Sequence, residues 1–373
     1  MDNRYTVYKS DISYFSGKLE AYLRYKEIAH TLIEVDQPAM RKVAQKTGIQ
    51  KMPAIEMSDG QWLLDTTPMI RWLETQHTDS TVIPTDPALA FIALLLEDYG
   101  DEWLWRPAMW WRWVPKISRV ALGRTMAAKM ISRQLAIPLG FYFARRQLNE
   151  WLYDDGMNKH NSSSVRDMLY RELETMEAVF ASQPYLLGSH PSVADFGYFA
   201  SMYRHFGNDP VSAEVMRREA PHTYEWLARL WNARHSKLNQ HATWVWPDAQ
   251  HWQPLLGRIA KDYLPYLHQN AKAFASGRAR FNYAGSSMNF ENTVTTHYRV
   301  WCRQELQREF ALLSAQDQQR VTTLFTDVGG IDALHLDGTI ESGLGQNFDL
   351  PIRPPSTPKK QPLRIRLFGQ PRN

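Results

Sequence analysis

The hydrophobic positions in the first 80 residues alternate between short strand-like runs and longer stretches with helical spacing. In the first helical stretch, Phe15, Leu19 and Tyr22 would share one face. The predicted elements are strands at 5–8, 30–35, 53–57 and 62–64 and helices at 15–28, 38–47 and 68–75. The order βαβ–α–ββα predicts a small mixed sheet, because the first two strands need a crossover and the last two only a tight turn.

After a proline-marked linker, long helical patterns replace the short elements. They predict helices at 88–105, 165–181, 192–206, 221–238, 252–275 and 292–313, and an irregular glycine-rich segment at 328–350. We therefore expect an α+β domain at 1–80, an all-helical domain at 88–247, a helical extension at 248–350 and a basic, proline-rich tail at 351–373.

The net charge of +4 is concentrated at the C-terminal end of the chain. Residues 351–373 carry six Lys or Arg and no acid, whereas the other residues carry 37 basic and 39 acidic side chains. The near-neutral remainder gives no reason to expect a nucleic-acid partner. With 44% hydrophobic and 22% charged residues, the chain is also unlike a disordered protein.

The single cysteine, Cys302, excludes a disulfide framework and a thiolate zinc site. Its helical, apolar surroundings predict a buried, inert thiol, and the low cysteine count favours a reducing, cytoplasmic compartment. The longest apolar run, 88–96, is well short of the roughly 20 residues that span a bilayer, so we expect no membrane partner. The 12 histidines are scattered without a ligand motif, and we expect no metal.

Four stretches carry a resemblance to a known family, in the right order and spacing over about 240 residues. They are Tyr8-Lys-Ser-Asp-Ile-Ser-Tyr-Phe-Ser-Gly-Lys-Leu, Lys51-Met-Pro-Ala-Ile-Glu, Asp59-Gly-Gln-Trp-Leu-Leu-Asp-Thr-Thr-Pro-Met-Ile-Arg-Trp-Leu and Tyr185-Leu-Leu-Gly-Ser-His-Pro-Ser-Val-Ala-Asp-Phe. Together they resemble the glutathione S-transferase family, which joins a thioredoxin-like domain to an all-helical domain. About 125 residues at the C-terminal end match no part of the family pattern.

The turn before the first helix is where the resembled family places the group that faces the glutathione sulfur. A helix N-terminus favours an anion and lowers the pKa of a nearby thiol. By position Ser13 matches the serine of serine-using members, with Tyr14 and Tyr8 as alternatives. Ser13 as a plain helix cap and Tyr8 as a plain strand residue remain open. The turn holds no cysteine, so mixed-disulfide chemistry is not expected.

Two further motifs resemble the glutathione-binding loops. The resemblance implies a cis bond at Met52-Pro53, with the Met52 backbone pairing with the cysteinyl backbone of glutathione. Lys51 would meet the glycyl carboxylate or be an ordinary exposed lysine. Asp65 and Thr66 would hold the ammonium and carboxylate of the γ-glutamyl end, although both residue types also cap helices.

Ser192 and Asp195 have the spacing of a capping box, and we expect them to be structural. The second substrate would lie where the domains meet, near a segment 97–113 that holds five of the 14 tryptophans. Tyr99, Trp103 and Trp105, with Arg106, are the candidate pocket residues. Such a cluster at helical spacing is more often core or a dimer contact.

The resemblance implies a homodimeric glutathione transferase-like enzyme whose co-substrate thiolate attacks an apolar electrophile. Two alternatives remain open: a non-catalytic binding or scaffolding protein on the same fold, and a glutathione-dependent peroxidase or dehalogenase at the same site. The extension supports the first alternative, because an apolar patch at 263–267 must pack against something.

Overall fold

A four-stranded sheet organises the N-terminal domain of the computed structural model, which describes residues 4–131, 133–238, 243–346 and 348–355. In chain order its elements are β1 (Tyr5–Lys9), α1 (Tyr14–Tyr25), β2 (His30–Glu34), α2 (Gln37–Thr47), β3 (Ala54–Met57), β4 (Trp62–Leu64) and α3 (Thr66–Gln76). The strand order is β2-β1-β3-β4, with β1 parallel to β2 and antiparallel to β3. The predicted mixed sheet and its element order are confirmed.

Local sequence explains how these helices begin and end. The Ser13 hydroxyl accepts a hydrogen bond from the Ser16 amide at the start of α1, and the Asp36 carboxylate accepts one from the Ala39 amide at the start of α2. Gly48 ends α2 with φ of 80°, a conformation that glycine adopts without a steric penalty. These caps fix the two crossovers that return the chain to the sheet.

The helical domain contains eight α-helices among the described residues. They are α4 (Pro87–Glu102), α5 (Trp105–Trp113), α6 (Lys116–Met130), α7 (Ala136–Gln147), α8 (Ser162–Phe180), α9 (Val193–Ser201), α10 (Pro210–Glu219) and α11 (Pro221–Asn232), with π-helical turns at Leu148–Tyr153 and Met202–Phe206. The helices α4 and α9 approach each other so closely at Gly197 that a Cβ on this residue would lie 2.6 Å from Glu97 Cα. Ser192 and Asp195 form the predicted capping box at the start of α9.

The extension continues with helices and a β-hairpin. Its elements are α12 (Ala249–Arg258), a π-helical turn (Ile259–Tyr263), α13 (Leu264–Ala275), β5 (Arg280–Ala284), β6 (Asn289–Val294), α14 (His297–Ala311) and α15 (Ala315–Phe325). The predicted helix at 292–313 is wrong at its beginning, since residues 292–294 belong to β6. The glycine-rich stretch after 328 is largely irregular, as predicted.

The extension packs along α4, α3 and the sheet edge. Arg299 of α14 pairs with Glu102 of α4 at 2.9 Å, and Glu305 pairs with Arg71 of α3 at 2.6 Å. Near the end of the described chain, Ile352 exchanges two backbone hydrogen bonds with Trp62 of β4, at 2.9 and 2.7 Å. The apolar patch at 263–267 is buried by this packing. Part of the predicted tail, 356–373, lies outside the described residues.

Candidate functional site

Strand register brings the three motifs of the N-terminal domain to one end of the sheet. Tyr8 of β1 is opposite Ala54 of β3, and Ala54 is opposite Leu64 of β4. Because β1 and β4 both run antiparallel to β3, the residues after β1, before β3 and after β4 lie at the same end of the sheet. These residues are the turn to Ser13, the Met52-Pro53 bond and the Asp65-Thr66 pair.

Ser13 occupies the N-cap of α1 and is half-buried. Its Oγ accepts from the Ser16 amide at 3.4 Å, so the capping role is present. A hydroxyl accepts through a lone pair and keeps its hydrogen for donation to another group. Capping and donation to a thiolate are therefore chemically compatible at this position.

The two tyrosine alternatives have hydroxyl partners elsewhere in the protein. Tyr14 is buried and donates to the Gly100 carbonyl at 2.6 Å, and burial raises its phenol pKa well above the ordinary value. Tyr8 donates to Glu56 at 2.7 Å and accepts from Lys42 at 2.7 Å. Since Lys42 belongs to α2, the Tyr8 hydroxyl faces α2 rather than the turn that holds Ser13.

The Met52-Pro53 peptide bond is cis, as the resemblance implies. Lys51 is exposed, and its Nζ lies 3.5 Å from Asp65 Oδ2, which joins the second motif to the third. Thr66, the first residue of α3, is buried.

Asp65 has an unusual backbone conformation for a residue with a side chain. Its φ is 66°, and its carboxylate makes no capping hydrogen bond although it occupies the N-cap of α3. A non-glycine residue in this region is uncommon and is often found at binding sites. The capping alternative therefore does not account for Asp65, and its partly exposed carboxylate faces Lys51.

A buried polar cluster that the sequence analysis missed lies behind α3. Lys18 of α1 contacts Asp101, Glu97 at 2.6 Å and Thr67 at 3.1 Å, and all four side chains are buried. Burial raises the pKa of Asp101 well above its usual range, although the charge of Lys18 opposes the shift. The signal was a lysine in the buried face of α1 and two carboxylates four residues apart in apolar α4. The cluster fixes the start of α3 against the helical domain.

Three of the four predicted pocket residues lie in the core beneath the extension. Tyr99, Trp103 and Arg106 are each at most 2% exposed. Arg106 donates to Asp155 at 3.1 Å and to the Tyr266 hydroxyl at 2.7 Å. These three residues are therefore core residues, as the alternative had it. The prediction that they line a substrate pocket is corrected, because the extension covers them.

Trp105 alone of the four is next to the start of α1. It is half-buried and stacks almost parallel to Phe15, with ring centroids 6.2 Å apart and planes 9° apart. Trp151 meets Trp105 edge to face at 5.9 Å. Phe15 is two residues from Ser13, so this aromatic pair lies beside the turn that holds the candidate thiolate donor. No sequence motif marked Phe15 or Trp151 as a pocket residue.

The extension also reaches the Asp65 side of the site. Burial raises the pKa of Tyr298 in α14 well above its ordinary value, and the negative charges of Cys302 and Asp65 act in the same direction. The Tyr298 ring contacts Trp301 at 5.3 Å and Phe348 at 5.9 Å. No sequence signal pointed here, because the extension matches no family pattern.

Several other features lie apart from this edge. A surface cavity of about 820 Å³ opens between α12 and α15, with Trp246 and Arg320 in its wall.

Cys302 is 1% exposed, which confirms a buried thiol, and burial raises its pKa well above the ordinary value. Within the described residues, no three His, Cys, Asp or Glu side chains lie together as metal ligands would. None of the described helices is long and apolar enough to cross a membrane.

The sheet, the cis-proline bond and the following helices define a thioredoxin-like domain joined to a helical domain. Family models of the glutathione S-transferase N-terminal domain match residues 7–81, and models of the C-terminal domain match residues 134–233. The chain carries both domains of the glutathione S-transferase family, and these domains indicate a function that uses glutathione.

Solved structures provide likenesses of low sequence identity. A glutathione S-transferase from Pseudomonas fluorescens is 18% identical, covers 65% of this chain and 98% of its own, and has a TM-score of 0.38. One from Methylobacterium radiotolerans, in complex with glutathione sulfonate, is 16% identical, with 61% and 90% covered and a TM-score of 0.38. Ure2p5 from Phanerochaete chrysosporium, cocrystallised with 1-(S-glutathionyl)-2,4-dinitrobenzene, is 11% identical, with 62% and 90% covered and a TM-score of 0.40. No curated protein matches the chain.

Proposed function

We propose that this protein is a glutathione transferase that joins the glutathione thiolate to an apolar electrophile. The observation that carries the proposal is the strand register, since it brings Ser13, Met52 and Asp65 to one end of the sheet. Asp65 and Thr66 would hold the γ-glutamyl end, Met52 the cysteinyl backbone and Lys51 the glycyl carboxylate. The partly exposed Asp65 carboxylate supports the ammonium assignment, because it is not used as a cap.

Ser13 is the proposed thiolate donor. A sulfur placed at the start of α1 would receive the Ser13 O–H hydrogen bond and the field of the helix N-terminus, both of which favour its anionic form. The thiolate then attacks the electrophilic carbon of the second substrate, and the leaving group departs with the electron pair of its bond. The Phe15–Trp105 face would hold that substrate. The protein supplies a lower thiol pKa and proximity rather than a covalent nucleophile.

A second candidate function rests on the extension. Because α13 and the β-hairpin bury Trp103 and Arg106, these two side chains are not available to line a substrate pocket. This observation favours a non-catalytic binding or scaffolding protein that retains glutathione. Glutathione-dependent peroxidase or dehalogenase activity would use the same edge, and assays with a peroxide or a haloalkane separate these reactions from conjugation.

Calorimetric titration with glutathione tests the proposal on three variants beside the native protein. We expect a Kd between about 1 µM and 1 mM for the native chain, and at least a tenfold weaker Kd for Asp65→Asn. Ser13→Ala should bind similarly but lose the ultraviolet absorbance of the thiolate. Tyr8→Phe is the matched control and should keep both properties, since its hydroxyl faces Lys42.

Two results would contradict the proposal. No heat and no thermal stabilisation at millimolar glutathione would remove the enzyme hypothesis. Binding without turnover of any simple electrophile would leave the scaffold function.

Light scattering and cell fractionation test the homodimer and the cytoplasmic location, which we propose from family membership and composition.

A further inference from the structure

Exposed apolar side chains concentrate on one helical hairpin, α6 and α7 with the turn between them. Among the described residues, 14 large hydrophobic side chains are exposed, and this segment of the chain, residues 116–147, holds six of them. They are Ile117 (68% exposed), Ile131 (44%), Leu135 (49%), Ile137 (56%), Phe141 (63%) and Tyr142 (44%). Single exposed hydrophobic residues are ordinary, but a group of six on one projecting element indicates an interaction surface.

The same hairpin is strongly basic. Residues 116–147 contain seven Lys or Arg and no Asp or Glu, whereas the first 350 residues as a whole carry 37 basic and 39 acidic side chains. Lys116, Arg124, Arg133 and Arg145 are exposed. The positive charge of this surface is therefore a local feature.

Tight packing makes the hairpin a defined unit. A Cβ on Gly123 would lie 2.5 Å from the Gly140 carbonyl oxygen, so α6 and α7 cross in backbone contact. Close to the turn, Lys129 contacts both Glu34 and Asp11 of the N-terminal domain, which fixes the hairpin against that domain. Its apolar side chains are thus turned outward by the packing of the helices.

Apolar and basic side chains share the exposed sides of both helices. On α6 and the residue after it, Ile117 and Ile131 are seven residues either side of Arg124. On α7, Ile137, Phe141 and Arg145 follow one another at intervals of four. Residues seven or four apart lie on one side of a helix, so each helix presents a mixed apolar and cationic stripe.

We propose that the hairpin docks on an anionic lipid bilayer, lying in its surface rather than crossing it. Helices with exposed Ile, Leu and Phe beside Lys and Arg bind such interfaces, because the apolar side chains enter the acyl boundary while the cations meet the head groups. Nucleic acid would use the cations and leave the six apolar side chains in water. A second copy of the same face would bring like charges together. The expectation of no membrane partner rested on the lack of an apolar run long enough to span a bilayer. Docking in the bilayer surface does not need such a run.

Vesicle co-sedimentation of the full chain tests the proposal. We expect binding to vesicles of phosphatidylcholine and phosphatidylglycerol at 3:1, at least tenfold stronger than to phosphatidylcholine alone and weaker in high salt. The double variant Ile137→Ser, Phe141→Ser should weaken binding at least tenfold, as should Arg124→Gln with Arg145→Gln. The matched control is Leu312→Ser, which also replaces an exposed apolar side chain by serine. Leu312 is 70% exposed and lies outside the hairpin.

Three outcomes would overturn the proposal. The first is no binding to either vesicle. The second is binding that Ile137→Ser, Phe141→Ser does not weaken, with the variant fold verified by circular dichroism. The third is a native dimer, measured by light scattering, that the same double variant dissociates, because the face would then join two copies of the chain. Hydrogen exchange of the native protein provides a variant-free check, since vesicles should protect residues 133–147 selectively.

Discussion

At the scale of single residues, Arg112 links the helical domain to the turn that carries Ser13. Its guanidinium forms a two-point pair with Asp209, at 2.7 and 2.9 Å, which fixes the plane of the group. A remaining nitrogen, Nη1, donates to the Ile12 carbonyl at 2.6 Å, one residue before Ser13. Arg112 is therefore a positioning residue for the proposed thiolate donor.

Arg112→Lys should separate this positioning role from simple stability. Lysine keeps the charge but cannot pair with both Asp209 oxygens and still reach Ile12, so we expect a loss of about 2–4 kcal/mol in the free energy of unfolding. We also expect bound glutathione to show a higher thiol pKa, measured by thiolate absorbance against pH, with a similar Kd. Arg166→Lys, at an exposed pair with Asp167, is the control and should change neither quantity. An unchanged thiol pKa in a destabilised protein would make Arg112 purely structural.

The resemblance to the family pattern could suggest Ser13, Met52 and Asp65, because each belongs to a short motif and the motifs follow one another in the family's order. It did not suggest Arg112, and for Lys18 it left only the signal of a lysine on the apolar face of α1. A buried cation looks like a surface cation in sequence, and only its partners distinguish the two. Those partners, Asp101 and Asp209, come from distant helices.

At the scale of elements, the carboxyl of the half-buried Asp98 joins α4 to the extension. Asp98 accepts from the Tyr263 hydroxyl at 2.5 Å and is close to Cys302, and burial raises its pKa to about 7. An unfolded aspartate titrates near 3.9, so the folded protein prefers the neutral acid. Stability from this group is therefore complete below about pH 4, declines as the pH rises towards 7 and is constant above that value.

Asp98→Asn should remove this pH dependence. Asparagine can still accept from Tyr263 but carries no charge, so we expect the free energy of unfolding to rise by about 1–3 kcal/mol at pH 8 and to differ little at pH 4. Urea unfolding at the two pH values measures the difference. Asp167→Asn changes an exposed carboxyl and should have an effect below about 1 kcal/mol at either pH. Equal effects of Asp98→Asn at both pH values would contradict a titrating group.

Element prediction failed where spacing was ambiguous. The hairpin β5–β6 has a register shift between Phe281 and Tyr283, which interrupts the alternation that reveals a strand. In β6 the buried residues Phe290 and Thr293 are three apart, which is also the spacing of a helix face. The helices α6 and α7 were missed because six large apolar side chains in and between them are exposed and obscure the periodicity of the buried face.

At the scale of the whole molecule, the docking of the extension decides which aromatic residues are core. Trp103 has Tyr263, Tyr266 and Phe290 around it, all from the extension. The same tryptophan would line a cleft if those residues were elsewhere. A cluster of aromatic residues has the same composition in either case, so local sequence could not separate pocket from core.

A buried ionic network holds this arrangement together. Asp155 pairs with Arg106 at 3.1 Å and with Arg299 of α14 at 2.9 Å, while the Tyr266 hydroxyl accepts from both arginines. All of these side chains are at most 1% exposed. Removing one partner of a buried pair leaves uncompensated charge, which costs about 3–5 kcal/mol.

Asp155→Asn should therefore lower the free energy of unfolding by about 3–5 kcal/mol, a large part of the 5–15 kcal/mol that is usual for a folded protein. The neighbouring variant Asp154→Asn is the matched control, since Asp154 pairs with Arg280 at the surface and its loss should cost about 0–1 kcal/mol. Urea unfolding measures both, and limited proteolysis should show residues 264–311 cleaved first in Asp155→Asn. Equal effects of the two substitutions would mean that apolar contacts, rather than this network, hold the extension on the helical domain.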